Sequence, residues 1–133
     1  MIGGYEQGPL LFVGYYCRVV GDGGSPVRNE ILKFFPDYTV TSLSVPINGT
    51  ENCLPKPSAL VPSAKGVRSG SWSLMGNKVS FIFRKLFKSE QFEGLLNGEI
   101  LEILPAGAVP AETKPLVYRY HNKFDIEHGL LHE

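Results

Sequence analysis

Several features that would mark a specialised class of protein are missing from this sequence. Basic and acidic residues balance at thirteen each, so there is no excess of positive charge to attract nucleic-acid phosphates or an anionic membrane surface. No apolar run approaches the ~20 residues that span a bilayer. The apolar stretch at 10–13 has no basic residue before it, unlike a signal peptide. We therefore expect a cytoplasmic protein with no nucleic-acid partner and no membrane span.

Cysteine is scarce, and local signatures of catalysis are missing. Cys17 and Cys53 are too few for a disulfide framework, so we expect two reduced thiols. The sequence contains no Gly-x-Ser-x-Gly elbow and no glycine-rich phosphate loop that leads into a helix. His128 and His132 are spaced as metal ligands on a helix, but Gly129 weakens that helix. We expect no metal and no cofactor, and the sequence leaves enzymatic activity open without favouring it.

Helical periodicity is almost absent, whereas glycine and proline are plentiful. Fifteen glycines and ten prolines separate short segments that are rich in aromatic and β-branched residues. This pattern predicts eight strands, at 11–20, 28–35, 38–45, 69–75, 78–86, 91–96, 99–104 and 116–121. A long connection remains at 46–67, and we expect a short helical turn within 124–133.

The clearest local signal is a hairpin at 70–83. A two-residue turn at 76–77 would set Trp72 opposite Phe81 and so fix the register. One face of this hairpin would be apolar, carrying Trp72, Leu74, Val79, Phe81 and Phe83. A sheet with one apolar face must bury that face against another part of the protein, which predicts a rolled or layered all-β architecture.

A second hairpin is predicted at Asn97-Gly98, a favoured two-residue turn pair. Its register would set Glu93 opposite Glu102, a like-charge pair. Eight short antiparallel strands with mostly tight turns predict an up-and-down barrel, formed by residues 1–133 as one domain. An eight-stranded barrel has an interior just wide enough for side chains or one small ligand. A β-sandwich is the alternative, because it needs the same alternation.

Four segments follow one another in a recognisable order. They are 12–16, which ends in Gly-Tyr-Tyr, 31–40, an aromatic strand with a Pro-Asp turn, 70–74, which begins with Gly-Ser-Trp, and 79–81. Together they resemble calycin-like barrels, the group of lipocalins, fatty-acid-binding proteins and avidins. The nearest pattern is that of the C-terminal β-domain of F-box-only ubiquitin-ligase adaptors, over roughly residues 11–104. The resemblance implies a barrel fold. Tyr38 stands where that turn usually has glycine, so we expect a wider turn here.

The barrel predicts a small binding protein whose interior holds a hydrophobic or aromatic ligand. The predicted ligand-binding residues are Tyr16, Leu43, Trp72, Leu74, Phe81, Phe83 and Tyr118. Arg119 is a further candidate as a polar anchor, and 46–67 would act as a lid over the open end. The alternative for the apolar residues is simple core packing, worth ~1.5–3 kcal/mol for each large side chain.

A protein-interaction domain with a filled core is the second hypothesis. Tyr15 and Tyr16 are adjacent in one strand, as are Phe34 and Phe35 in another, so alternation sends each pair to opposite faces. One aromatic of each pair would then face a protein partner, or lie buried under 46–67. An enzyme is the third hypothesis, because residues scattered over many strands could still assemble a site.

Overall fold

The fold is an all-β barrel of eight strands. The structure, a computed structural model, describes residues 10–22, 25–47, 55, 57–84, 88–105, 107 and 113–122. The strands are β1 (Tyr15–Asp22), β2 (Ser25–Phe34), β3 (Thr39–Pro46), β4 (Arg68–Met75), β5 (Lys78–Arg84), β6 (Ser89–Asn97), β7 (Ile100–Pro105) and β8 (Leu116–His121). All eight predicted strands are confirmed, with ends that differ by a few residues. The helical turn predicted within 124–133 and Cys53 lie outside the described residues.

Each strand pairs antiparallel with the next, and β8 pairs back with β1 to close the barrel. The up-and-down barrel is therefore confirmed, and the sandwich alternative is excluded. Closure gives every strand two neighbours and leaves no open sheet edge. The closing ladder is short, with three residue pairs that end at Cys17 and Arg119.

The β4–β5 hairpin has the predicted register. Trp72 lies opposite Phe81, and Met75 lies opposite Lys78. Gly76 takes the first loop position with a φ of +67°, a conformation that glycine adopts without steric cost. Alternation then places Trp72, Leu74, Val79, Phe81 and Phe83 inside the barrel.

The predicted register of the β6–β7 hairpin is wrong by two residues. Asn97 pairs with Ile100, so the two-residue loop is Gly98-Glu99 and not Asn97-Gly98. Gly98 has a φ of +64° and so takes the same loop position as the glycine of the β4–β5 turn. Glu93 consequently faces Leu104, and the predicted pair of glutamates does not form. A shift of two residues keeps every side chain on its predicted face.

The turn between β2 and β3 is tighter than expected. Tyr38 adopts a φ of 70°, so a tyrosine occupies the left-handed conformation and the predicted widening is wrong. The Tyr38 backbone N–H donates to the Phe35 carbonyl oxygen at 3.0 Å. The Tyr38 ring lies with its centroid 5.0 Å from the Trp72 ring, and this contact helps to offset the unfavourable backbone conformation.

One end of the barrel is closed by the chain that precedes β1. Sequence alternation predicted a strand from residue 11, but β1 begins at Tyr15 and Leu10 is buried against the interior cluster. The buried Lys33 ammonium holds this segment by donating to the carbonyl oxygens of Phe12 at 2.7 Å and Gly14 at 2.9 Å. Next to this segment, the aromatic and aliphatic side chains of the interior cluster fill that half of the barrel.

A second, smaller cluster lies on the outer wall formed by β1, β2 and β3. Its buried members are Tyr15, Cys17, Ile31 and Leu60. The Tyr15 hydroxyl donates to the Pro55 carbonyl oxygen at 2.7 Å, and the Thr41 hydroxyl donates to that of Leu60 at 2.7 Å. Leu60 ends a short 3-10 helix, Pro57–Leu60. This part of the long connection therefore covers the side of the barrel and not its open end. Residues 48–54 and 56 of the predicted lid lie outside the described residues.

Burial also corrects the second hypothesis. Tyr15 is fully buried under this connection, Phe34 is fully buried inside the barrel, and Phe35 is half-buried. Tyr15 and Phe34 therefore do not belong to an exposed patch, whereas Tyr38 in the turn after β2 is 55% exposed. Among the described residues, no helix is long and apolar enough to cross a membrane.

Candidate ligand-binding site

A cavity of about 240 Å³ occupies the half of the barrel away from the closed end. Its aromatic wall consists of Phe81, Phe83, Phe92 and Tyr118. The Phe81 and Phe92 rings are stacked, with centroids 5.3 Å apart, and the Phe83 ring meets Phe81 edge to face at 5.9 Å. Rings held in this way present a preformed apolar surface, which is the usual lining of a small-molecule site.

Charged and hydroxyl side chains complete the cavity towards its mouth. They are Arg18 from β1, Glu30 from β2, Ser42 from β3, Arg68 from β4 and Glu90 from β6. Each lies an even number of residues from an interior apolar side chain of its strand, so alternation turns it inwards. Five strands thus direct polar groups into one end of the same barrel.

Arg68 is held in place by contacts on three sides. Its Nη1 lies 2.7 Å from Glu90 Oε1, and its Nη2 donates to Ser42 Oγ at 3.3 Å. Its guanidinium carbon lies 4.7 Å from the centroid of the Phe83 ring, within the range of a cation–π contact. This arginine therefore already has an anionic partner.

Glu30 is likewise engaged by its neighbours. Its Oε2 accepts a hydrogen bond from Ser44 Oγ at 2.7 Å and lies 3.7 Å from Arg28 Nε. The same Arg28 Nε donates to Ser44 Oγ at 2.6 Å. This chain of contacts turns the carboxylate towards β3 and the barrel mouth.

Arg18 has a different environment. It lies directly opposite Glu30 in the β1–β2 ladder, yet no ion pair joins the two side chains. Its Nε is buried and has no hydrogen-bond partner within the described parts of the chain. Its guanidinium carbon lies 5.9 Å from the centroid of the Tyr118 ring. Burial raises the pKa of Tyr118, and the hydrogen bond and charge of Arg18 oppose that rise, so the phenol stays neutral at neutral pH.

The structure brings together three of the seven predicted ligand-binding residues at this cavity. Phe81, Phe83 and Tyr118 line it. Tyr16, Trp72 and Leu74 belong to the same interior cluster but do not line the cavity. All six therefore lie inside the barrel, and three of them serve as packing around the closed half.

Two predicted residues lie outside the barrel. Leu43 pairs with Ile31 and packs on the outer-wall cluster, because alternation from the inward Val40 sends position 43 outwards. Arg119 is exposed on the outer face of β8, next to the inward Tyr118. Neither residue contributes to the cavity.

The charged residues of the cavity were not predicted from the sequence, although the alternation of inward and outward positions along their strands indicated them. Arg18 is two residues after the inward Tyr16, and Glu30 is two residues before the inward Leu32. Charge at a position whose alternation points to the interior indicates a functional interior. Composition and local motifs do not show this, because the residues come from separate strands.

Cys17 belongs to the outer wall and not to the cavity. Burial, followed by the nearby charge of Glu30, raises the pKa of its thiol to about 12. Its Sγ lies 3.6 Å from Asn29 Oδ1. A thiol held neutral in this way is a poor nucleophile. Within the ranges that the structure describes, no group of three histidine, cysteine, aspartate or glutamate side chains is placed to hold a metal ion.

Comparison of this chain with protein-family models, with curated proteins and with solved structures gives no match. The cavity inside the barrel is therefore the feature that points to a function.

Proposed function

We propose that this protein is a non-enzymatic binding module that holds a small aromatic or apolar molecule in the open half of its barrel. The observation that carries the proposal is the cavity of about 240 Å³, which is walled by phenylalanine rings and has polar groups towards its mouth. Apolar walls give affinity, and a few polar groups give orientation. The volume suits a ligand with one aromatic ring and a short side chain.

The closed half of the barrel supports this assignment by limiting where a ligand fits. Trp72 is buried beside Phe34, whose ring centroid is 6.2 Å away, and Phe34 in turn lies 5.6 Å from Phe81. Phe34 and Phe81 therefore separate the indole from the cavity. We expect Trp72 emission to respond weakly to a ligand, and signals from the cavity wall are the better reporter.

The resemblance to calycin-like barrels agrees with this proposal, because members of that group hold small ligands inside the barrel. We extend the proposal to a single domain over residues 1–133 that acts in the cytoplasm. A protein-interaction role has less support, since Tyr15 and Phe34, two of the three aromatics considered for its surface, are buried.

The direct test is a titration of the isotope-labelled protein with 3-phenylpropionate, 3-phenylpropanol and 3-phenylpropylamine, followed by NMR. We expect the backbone signals of Phe81, Phe83 and Phe92 to shift with at least one of them. The substitution Leu116→Phe adds volume at the cavity wall and should weaken binding by about tenfold, the effect of a lost apolar contact of 1–2 kcal/mol.

The matched control is Leu95→Phe, which makes the same change at an exposed position of β6. It should bind like the wild type. Absence of shifts with all three compounds would contradict the binding function, and so would equal weakening by both variants.

A further inference from the structure

We propose that the natural ligand is an aromatic carboxylate whose anionic group pairs with Arg18. This inference deepens the binding function proposed above and rests on it. The juxtaposition that carries it is a buried, unpaired guanidinium nitrogen beside a wall of phenylalanine rings in one cavity.

The arginines and glutamates around the cavity do not all form ion pairs with one another. Arg68 is paired with Glu90 at 2.7 Å, and Arg28 lies 3.7 Å from Glu30. Both carboxylates of the cavity therefore have an arginine partner. Arg18 forms no ion pair with any described residue. The lining itself holds two arginines and two glutamates, and Arg28 beside Glu30 adds a positive charge that leaves Arg18 without a carboxylate partner.

Glu30 is the carboxylate best placed to pair with Arg18, but its contacts lie elsewhere. The two residues are direct partners across β1 and β2, so their side chains start on the same face. The carboxylate nevertheless turns to the Ser44 hydroxyl at 2.7 Å. The arginine is thus left facing the cavity, with Tyr118 as its neighbour.

A carboxylate is the chemical group that best satisfies the unpartnered Arg18 guanidinium nitrogen. A buried N–H without an acceptor loses its hydration and gains nothing in return. Guanidinium matches a carboxylate in charge and planar geometry, and it can donate two parallel hydrogen bonds to it. The Tyr118 phenol, kept protonated by burial, is a second donor at the same place.

The rest of the cavity has an aromatic wall that suits a flat ring. The stacked Phe81 and Phe92 rings and the edge of Phe83 form a surface on which an aromatic ring packs well. A ligand with an aromatic body and an acid on a short arm would satisfy both parts of the cavity. A cationic ligand would instead meet the unpaired charge of Arg18.

The test compares three compounds of one shape and different charge by calorimetry. They are 3-phenylpropionate, 3-phenylpropanol and 3-phenylpropylamine. We expect wild-type protein to bind the carboxylate about tenfold or more tightly than the alcohol, as a charge-assisted pair requires, and to bind the amine most weakly. The Arg18 Nε–H signal in the NMR spectrum should move downfield with the carboxylate.

Variants assign the preference to one side chain. Arg18→Met should abolish the difference between carboxylate and alcohol while binding of the alcohol persists. Arg119→Met, at the exposed position on β8, should leave the preference unchanged. The comparison of compounds in wild-type protein needs no variant, so it decides the matter even where Arg18→Met does not fold.

The outcomes separate this inference from the binding function. Binding of the alcohol and carboxylate with equal affinity overturns the anionic ligand and leaves the binding function standing. A preference that survives in folded Arg18→Met overturns the role of Arg18. If none of the three compounds binds, the binding function itself fails, and this inference fails with it.

Discussion

Lys33 shows how one side chain closes an end of the barrel. It is only 7% exposed, although an ammonium group is costly to bury unless it is hydrogen-bonded. Its Nζ donates to the carbonyl oxygens of Phe12 and Gly14, and it lies 5.1 Å from the centroid of the Phe35 ring. The lysine therefore ties the segment before β1 to the C-terminal end of β2.

Replacing this lysine should destabilise the protein. Lys33→Met keeps the apolar stem but leaves two carbonyl oxygens without their charged donor, at an expected cost of about 2 kcal/mol in the free energy of unfolding. Urea denaturation followed by circular dichroism measures this. The control is Lys78→Met, which removes only an exposed ion pair with Glu93 and should change stability by less than about 0.5 kcal/mol. Equal effects of the two substitutions would contradict this role of Lys33.

The turn residues explain why one hairpin was predicted correctly and the other was not. Both observed loops start with a glycine at positive φ, Gly76 and Gly98. In the first hairpin the sequence signal and this requirement coincide. In the second, Asn97-Gly98 matches a familiar turn pair, but Asn97 is the last residue of β6. Local sequence preference alone does not separate two registers that keep the same side chains inside.

The observed register predicts different sensitivities at the two positions. Gly98→Ala forces a Cβ into the left-handed region and should cost about 1 kcal/mol of stability. Asn97→Ala should change stability much less, because Asn97 is an exposed strand residue paired with Ile100. Thermal unfolding of both variants measures this. A larger loss for Asn97→Ala than for Gly98→Ala would favour the alternative register.

Other elements depend on contacts that alternation does not encode. The apolar residues at 10–12 fit a strand pattern, yet they lie against the end of the barrel and are not part of β1. Leu60 covers the outer wall because Tyr15 and Ile31 there are apolar, a feature that would equally suit a partner protein. The sequence could therefore predict the strands and their faces but not what covers the second face.

For the molecule as a whole, closure decides which residues meet. Alternation indicated that Phe81 and Phe83 point inwards, but the depth of each residue follows from the stagger of eight strands. Arg18 and Glu90 are distant in sequence and line one cavity only because β8 closes on β1. This is why the apolar interior could be predicted and the charged end of it could not.

The buried acids of the barrel predict how stability depends on pH. Burial raises the pKa of Tyr16 from 10.0 to about 12, and that of Cys17 from 9.0 to about 12. The unfolded chain loses these protons first, so it binds fewer protons than the folded state above about pH 9. The stabilisation that these groups contribute is therefore fully present below about pH 9, and the free energy of unfolding falls as the pH rises towards 12.

Urea denaturation at a series of alkaline pH values tests this expectation. The denaturation midpoint should fall continuously above about pH 9. Cys17→Ala should reduce the fall in its first part, and the remainder should follow tyrosine ionisation in the absorbance near 295 nm. A midpoint that stays constant up to about pH 11 would contradict the burial of these groups.

The central claim is that the open half of the barrel holds a small aromatic molecule. Intermolecular nuclear Overhauser effects between the ring protons of 3-phenylpropionate and the protein test it most directly. We predict contacts from the ligand ring to the side chains of Phe81, Phe83 and Phe92, and none to Leu95 on the outer surface. Contacts confined to the outer surface, or no contacts at a concentration that saturates binding, would contradict the claim.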